Sequence, residues 1–170
     1  MYFRNPFESM NDRQGRFERS EHMHYDPYDP KLNLPHALSY IEVLVKEEMK
    51  DQMQYERLSS LARSQEDKDI INGIVKDETK HIKLLRQIYH ELTQRTTPLV
   101  QEDAVKNNIS LCEGLKEALI HEQKQVEIYR KVFFAMEERR HINMLVEIIT
   151  DEMRHFGLIQ YLYIKNMGYR

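Results

Sequence analysis

Two stretches of the sequence share one pattern: KDETKHIKLL over residues 76–85 and TDEMRHFGLI over residues 150–159. Each contains Asp-Glu-x-x-His followed three residues later by leucine, and an offset of 74 residues relates them. A glutamate and a histidine three residues apart lie on the same face of an α-helix. The residues that carry the pattern are Asp77, Glu78 and His81 in the first stretch, and Asp151, Glu152 and His155 in the second.

The same offset relates the segments that precede these stretches. Glu48 corresponds to Glu122, and Tyr55 corresponds to Tyr129. Each half of the chain therefore reads E-x6-Y on one segment and D-E-x2-H-x7-Y on the next. If each half folds as a helical hairpin and a pseudo-twofold axis relates the two, the matched residues will surround that axis.

Apolar residues recur at helical spacing and predict four helices. Pro35 is a favoured first-turn residue, and the first helix is expected from there to about Arg63. A Ser64 cap predicts a second helix over 65–94, and an S-x-x-E box at Ser110 opens a third that runs to about Glu138. The fourth is expected over 140–167. The sequence therefore predicts an all-α four-helix bundle, with a long crossover between helices two and three.

Residues 1–33 differ from the rest, because they hold aromatic residues and prolines without helical periodicity. We interpret them as an irregular N-terminal arm that is either a disordered tail or a segment packed on a neighbouring subunit. Residues 34–170 form the predicted bundle domain.

Composition narrows the classes of protein further. The 170 residues are enough for one domain, and the net charge of -3 argues against binding nucleic acid through phosphate neutralisation. The apolar runs are too short to span a bilayer, and no signal-peptide pattern opens the chain, so a cytoplasmic protein without a membrane partner is expected. The single cysteine excludes a disulfide framework and any four-cysteine metal module within this chain.

Four glutamates interrupt the apolar stripes of the predicted helices. Buried and unpaired carboxylates would each cost several kcal/mol, and no lysine or arginine occupies a facing stripe position. Two divalent cations would balance four carboxylates, with two neutral imidazoles completing the ligand set. The alternative is four solvated glutamates on Glu-rich helices. The residues concerned are Glu48, Glu78, Glu122 and Glu152.

One glutamate from each of two helices, with Glu-x-x-His from each of the other two, resembles the ferritin-like di-iron carboxylate superfamily. Within it, the chain is most similar to rubrerythrin-like proteins without a rubredoxin domain. The resemblance implies two iron ions, with manganese as an alternative and zinc less favoured. It implies Glu48 and His81 as terminal ligands of one metal, Glu122 and His155 of the other, and Glu78 and Glu152 as bridges.

The resemblance also implies residues that support the ligands. Asp77 and Asp151 would accept hydrogen bonds from the metal-free histidine nitrogens. Tyr55 and Tyr129 would bond the ligand carboxylates, unless they serve only in core packing. Rubrerythrins carry a further carboxylate ligand three residues after the helix-three glutamate. That position is Gln125 in this chain, and the repeat-related Asp51 is the candidate to replace it.

The function that the resemblance implies is redox chemistry on hydrogen peroxide or dioxygen by a di-iron peroxidase or oxidase. Electrons would come from a separate donor protein or from Fe(II). A ferroxidase that handles iron is one alternative, and a structural or interaction bundle with a redox-inert or vestigial metal site is another. A homodimer or a higher homo-oligomer is expected.

Overall fold

The computed structural model describes residues 26–98 and 109–168, and within those ranges it contains four α-helices and no strand. The predicted all-α four-helix bundle is confirmed. The arm lies outside the described residues except for 26–33. The helices are α1 (Pro30–Leu61), α2 (Gln65–Thr93), α3 (Leu111–Phe134) and α4 (Arg139–Met167).

Helix α1 begins at Pro30, so the predicted start at Pro35 was wrong. The Asp29 carboxylate accepts hydrogen bonds from two backbone N–H groups of the first turn, and Pro30 occupies a position where its missing N–H costs nothing. Asn33 adds hydrogen bonds back to the carbonyls of Asp26 and Asp29. Residues 30–33, expected in the arm, are therefore the first turn of α1.

The other helix ends follow their caps more closely. Ser64 caps α2, and Ser110 forms a reciprocal capping box with Glu113 at the start of α3. Helix α3 ends at Phe134 and not near Glu138, because the N–H groups of Ala135 and Met136 bond the carbonyls three residues before them and tighten the chain into a turn.

Contacts between the helices define their directions. Helix α1 packs on α2 and α3, and α4 packs on α3 and α2, which leaves α1 and α4 on one diagonal. Two hydrogen bonds in each of the pairs α1–α2, α1–α3 and α2–α4 show that the two helices are antiparallel. The bonded residues are Tyr89 and Glu42, Ser59 and Asn72, Tyr55 and Glu122, Tyr129 and Glu48, His155 and Asp77, and Asn166 and Asp67. Helices α2 and α3 therefore run in the same direction. Their connection must cross the length of the bundle, although residues 99–108 of it lie outside the described residues.

The bundle core consists of two apolar clusters. One includes Ile41, Leu44 and Leu145, and the other includes Leu58, Ile74 and Ile159. A layer of buried polar side chains lies between them. Among the described helices, none is long and apolar enough to cross a membrane.

Candidate metal centre

Six side chains form the polar layer, and none is more than 2 % exposed. On each helix, these polar residues lie on the same face as the core leucines and isoleucines, so packing of that face buries them too. The structure brings together Glu48 from α1, Glu78 and His81 from α2, Glu122 from α3, and Glu152 and His155 from α4.

The first group of donor atoms surrounds His81. Its Nδ1 lies 3.2 Å from Glu48 Oε2, 3.3 Å from Glu78 Oε2 and 2.9 Å from Glu152 Oε1. Ligands held about 2.0–2.2 Å from a common ion are separated from one another by roughly 3–3.6 Å. The three oxygens therefore lie from Nδ1 at the distances expected between ligands of one metal ion, and the four residues offer donor atoms within 4.8 Å of one another.

The second group surrounds His155. Its Nδ1 lies 3.1 Å from Glu78 Oε1, 3.8 Å from Glu152 Oε2 and 3.9 Å from Glu122 Oε2. Glu78 and Glu152 belong to both groups and present a different oxygen to each histidine. Two carboxylates can thus be shared between two neighbouring metal positions.

Several of these atoms have no hydrogen-bond partner. Buried polar atoms are nearly always satisfied, and leaving one unsatisfied costs about 1–3 kcal/mol. The orphaned atoms all belong to residues of the two histidine-centred groups, so the donor set fits a pair of bound cations. They are both oxygens of Glu78, both oxygens of Glu152, Oε2 of Glu122 and Nδ1 of His155.

Burial and crowding give the four carboxylates unequal proton affinities. Burial, and then the charges of Glu152 and Glu78, raise the pKa of Glu48 well above its usual range, and burial also raises the pKa of Glu122. Burial would raise the pKa of Glu78 and Glu152 as well, but contacts with their neighbours outweigh it and lower both.

The histidines hold protons when no metal is bound. Burial opposes this, but the surrounding carboxylates raise the pKa of His81 to about 12 and that of His155 to about 9. Cations that bind here must displace protons, as metal ligation generally requires.

The two tyrosines join the halves of the repeat. The hydroxyl of Tyr55 donates to Oε1 of Glu122, and the hydroxyl of Tyr129 donates to Oε1 of Glu48. Each of these glutamates therefore has one oxygen held by a tyrosine, and its other oxygen turned toward a histidine.

The two aspartates contact the outer nitrogens of the histidines. Asp151 Oδ2 lies 3.4 Å from His81 Nε2, and Asp77 Oδ2 lies 3.2 Å from His155 Nε2. A proton on each Nε2 would then leave Nδ1 free to face the core.

On this side of the polar layer, a basic side chain lies next to each aspartate. Lys80 Nζ lies 2.7 Å from Asp151, and Arg154 Nη2 lies 2.7 Å from Asp77. These two residues are themselves related by the 74-residue offset, and each half of the repeat supplies a basic side chain to the aspartate of the other half.

A second polar group lies on the opposite side, between α1 and α3. Gln125 donates to Asp51, and His121 lies 3.2 Å from Asp51 and 3.3 Å from Glu47. Neither Glu47 nor His121 is among the site residues predicted from the sequence. Their repeat relation, and the matching relation of Asp51 to Gln125, is the signal that could have revealed this group.

Comparisons with known proteins agree with the fold. No protein-family profile matches the chain, and no curated protein matches it. Solved structures of CopM, in Ag-bound and Cu(I)-bound forms, are similar with a TM-score of 0.65 at 18% sequence identity. The similarity covers 76% of this chain and 95–96% of the CopM chain. At this identity it shows a shared helical fold alone.

Proposed function

We propose that this protein binds a dinuclear metal centre in the middle of its bundle and uses it for redox chemistry on hydrogen peroxide or dioxygen. The observation that carries the proposal is the division of the oxygens of Glu78 and Glu152 between two histidine-centred groups. A bridging carboxylate needs this arrangement, and a single-ion site does not. The ferritin-like, rubrerythrin-like resemblance remains part of the proposal.

The chemistry of the donors favours iron or manganese. The atoms that converge are carboxylate oxygens and imidazole nitrogens, whereas Cu(I) prefers soft sulfur ligands. The metals bound by CopM are therefore not the ones expected here, although the two proteins share a fold.

The residues around the ligands have separate tasks in this proposal. The two metal ions, when bound, would supply the two electrons that reduce hydrogen peroxide or dioxygen. Tyr55 and Tyr129 donate hydrogen bonds to the outer oxygens of the terminal glutamates and fix their orientation, and Asp77 and Asp151 orient the imidazoles. The apolar clusters above and below exclude water, which strengthens the electrostatic interactions inside.

The test is the metal content of aerobically purified protein from cells supplied with iron, manganese, zinc and copper. About two iron or manganese ions per chain are expected, since four carboxylates balance two divalent cations. Glu78→Ala should lose both ions, and Glu117→Ala, an exposed glutamate on α3, should keep both. Zinc, copper or no metal that persists after anaerobic Fe(II) reconstitution would overturn the proposal.

The reaction is tested on the metal-loaded protein. Peroxide consumption with an added reductant, lost in Glu78→Ala, supports the redox function. Oxidation of Fe(II) far beyond the capacity of the site, without peroxide turnover under reductant, would instead identify an iron-oxidising protein. Bound metal with neither activity would leave a structural role.

A further inference from the structure

A cavity of about 540 Å³ lies between the start of α1 and the end of α3, and we call it the α1–α3 cavity. Its volume is within the range of about 300–1,000 Å³ that is usual for small-molecule sites. Tyr40, which lines it, is eight residues before Glu48 on α1. Lys131, which lines it from α3, is nine residues after Glu122. At a rise of about 1.5 Å per residue, the cavity lies about 12 Å along the bundle from the metal ligands and is separate from them.

Aromatic rings form part of the wall of the α1–α3 cavity. Tyr28 and Phe134 contact each other edge to face, with ring centroids 4.9 Å apart, and Tyr40 adds a third ring. Asn33 holds the segment that carries Tyr28 against α1, because its side-chain amide donates to backbone carbonyls before and after that tyrosine. Tyr28 is nevertheless 67% exposed. Rings held in this way offer an apolar surface on which a flat aromatic molecule can pack.

Basic side chains line the same cavity. Arg130 and Lys131 are consecutive, exposed residues of α3, and His36 lies across from them on α1. The Nζ of Lys131 is 5.4 Å from the centroid of the Tyr40 ring. Neither Arg130 nor Lys131 forms an ion pair with a carboxylate of the described residues, although Glu127 also lines the cavity. Two permanent cations and one carboxylate leave an excess of positive charge, which attracts an anionic group.

The internal repeat provides a comparison within the same molecule. Three residues of the cavity correspond, at the offset of 74, to residues at the other end of the bundle that are neither aromatic nor basic. They are Tyr40, Phe134 and Arg130, which correspond to Gly114, Ser60 and Glu56. A Cβ added at Gly114 would overlap the side chain of Leu58, so packing fills that end of the bundle. Both halves supply the same metal ligands, and the metal centre therefore does not account for the aromatic and basic residues around the cavity.

We propose that the α1–α3 cavity binds a small, flat aromatic molecule that carries an anionic group. The rings of Tyr28, Tyr40 and Phe134 pack against the aromatic part of this ligand. Arg130 and Lys131 pair with its anionic group, and the guanidinium can donate two parallel hydrogen bonds to it. A purely apolar ligand would leave both cations without a partner, and a simple inorganic anion would leave the three rings uncovered. The ligand class follows from the presence of both features in one cavity.

Two fluorescent probes test the proposal on the full chain. The first, 1-anilinonaphthalene-8-sulfonate, is an aromatic anion, and the second, N-phenyl-1-naphthylamine, has the same rings without the sulfonate. Arg130→Ala should weaken binding of the anionic probe about tenfold and leave that of the neutral probe unchanged, because only the anion loses charged donors. Tyr28→Ala should weaken binding of both probes, since both lose a ring contact.

Lys124→Ala, an exposed change on α3 outside the cavity, is the control and should leave the affinity for both probes unchanged. Arg130 and Tyr28 are exposed too, so all three variants should fold. The proposal is overturned if the anionic probe does not bind saturably to the wild-type chain. It is also overturned if either Arg130→Ala or Tyr28→Ala leaves the affinity for that probe unchanged.

Energy transfer tests where the probe binds without relying on loss of affinity. The chain contains no tryptophan, so a single one can be introduced as a local energy donor. Tyr28→Trp should transfer excitation efficiently to bound 1-anilinonaphthalene-8-sulfonate. Tyr161→Trp, an exposed change near the opposite end of the bundle, should transfer much less, and equal transfer from the two positions would overturn the proposal. These experiments use metal-free protein, so their failure is separate from a failure of the proposed function.

Discussion

Glu78 and Glu152 differ from the other two glutamates of the core in what their oxygens contact. Neither has a hydrogen bond to either oxygen, whereas Glu48 and Glu122 each accept one from a tyrosine. The first two therefore face both metal positions, and the second two face one each. Because of this difference, we expect substitutions at the six candidate ligands to affect metal binding to different extents.

Glu122→Ala should retain about one metal ion per chain, because the His81 group keeps all of its donors while the His155 group loses one. The measurement is the metal-to-protein ratio after reconstitution and desalting. Gln123→Ala, exposed on the same helix, is the control and should keep both ions. Equal retention of both ions in Glu122→Ala would contradict the assignment of Glu122.

Tyr129→Phe should weaken metal binding at the His81 group by about 10–100-fold, since supporting hydrogen bonds contribute to ligand orientation and affinity. Competitive titration with a chelator measures the effect. Tyr89→Phe removes a tyrosine–carboxylate bond to Glu42, remote from the site, and is the matched control. If the two variants bind metal equally well, Tyr129 has a packing role only.

At the scale of single helices, caps decided where the chain becomes helical. Proline at position 35 is a favoured start, yet the capping geometry of Asp29 and Pro30 adds a further turn before it. The extra turn matters because Asn33 ties it to the preceding segment through two carbonyl contacts. Prediction from a proline alone fails when a better cap lies just upstream.

Asp29→Ala should lower the free energy of unfolding by about 1 kcal/mol, because two N–H groups of the first turn lose their acceptor. Urea denaturation followed by circular dichroism measures the change. Asp29→Asn keeps a side-chain oxygen and should behave almost as the wild type. No difference between the alanine variant and the wild type would mean that α1 is stable only from a later residue.

The whole molecule is held together across its middle by polar groups from both halves. Tyr55 and Tyr129 link α1 to α3, and the Asp77 and Asp151 contacts link α2 to α4. Metal ions at the two groups would tie all four helices at this level. Metal binding should therefore stabilise the fold as a unit, by an amount that grows with the logarithm of the ratio of free metal concentration to dissociation constant.

Mn(II) should raise the melting temperature of the metal-free protein at about pH 7.5, and the increase should shrink as the pH falls toward about 5.5. The raised pKa values of His81, His155, Glu48 and Glu122 mean that protons compete with the metal, and competition grows as the pH falls. Differential scanning calorimetry measures the shift. A shift that is independent of pH, or that persists in Glu78→Ala, would contradict metal binding at these residues.

The spacing of residues along the chain was sufficient to predict four helices, the repeat and the six candidate ligands. Helical periodicity fixes which residues share a face, and an apolar stripe determines which face is buried. Glu48 and Glu122 could be selected in this way because each interrupts such a stripe. Local rules of this kind operate within one helix and need no knowledge of its neighbours.

Other features depended on how the helices pack. The second contact of each bridging glutamate, Glu78 with His155 and Glu152 with His81, joins residues at least seventy positions apart. The contacts of Asp51 with Gln125 and His121 also span at least seventy positions. Periodicity within one helix predicts which face is buried, but only tertiary packing decides which residues of the other helices that face meets.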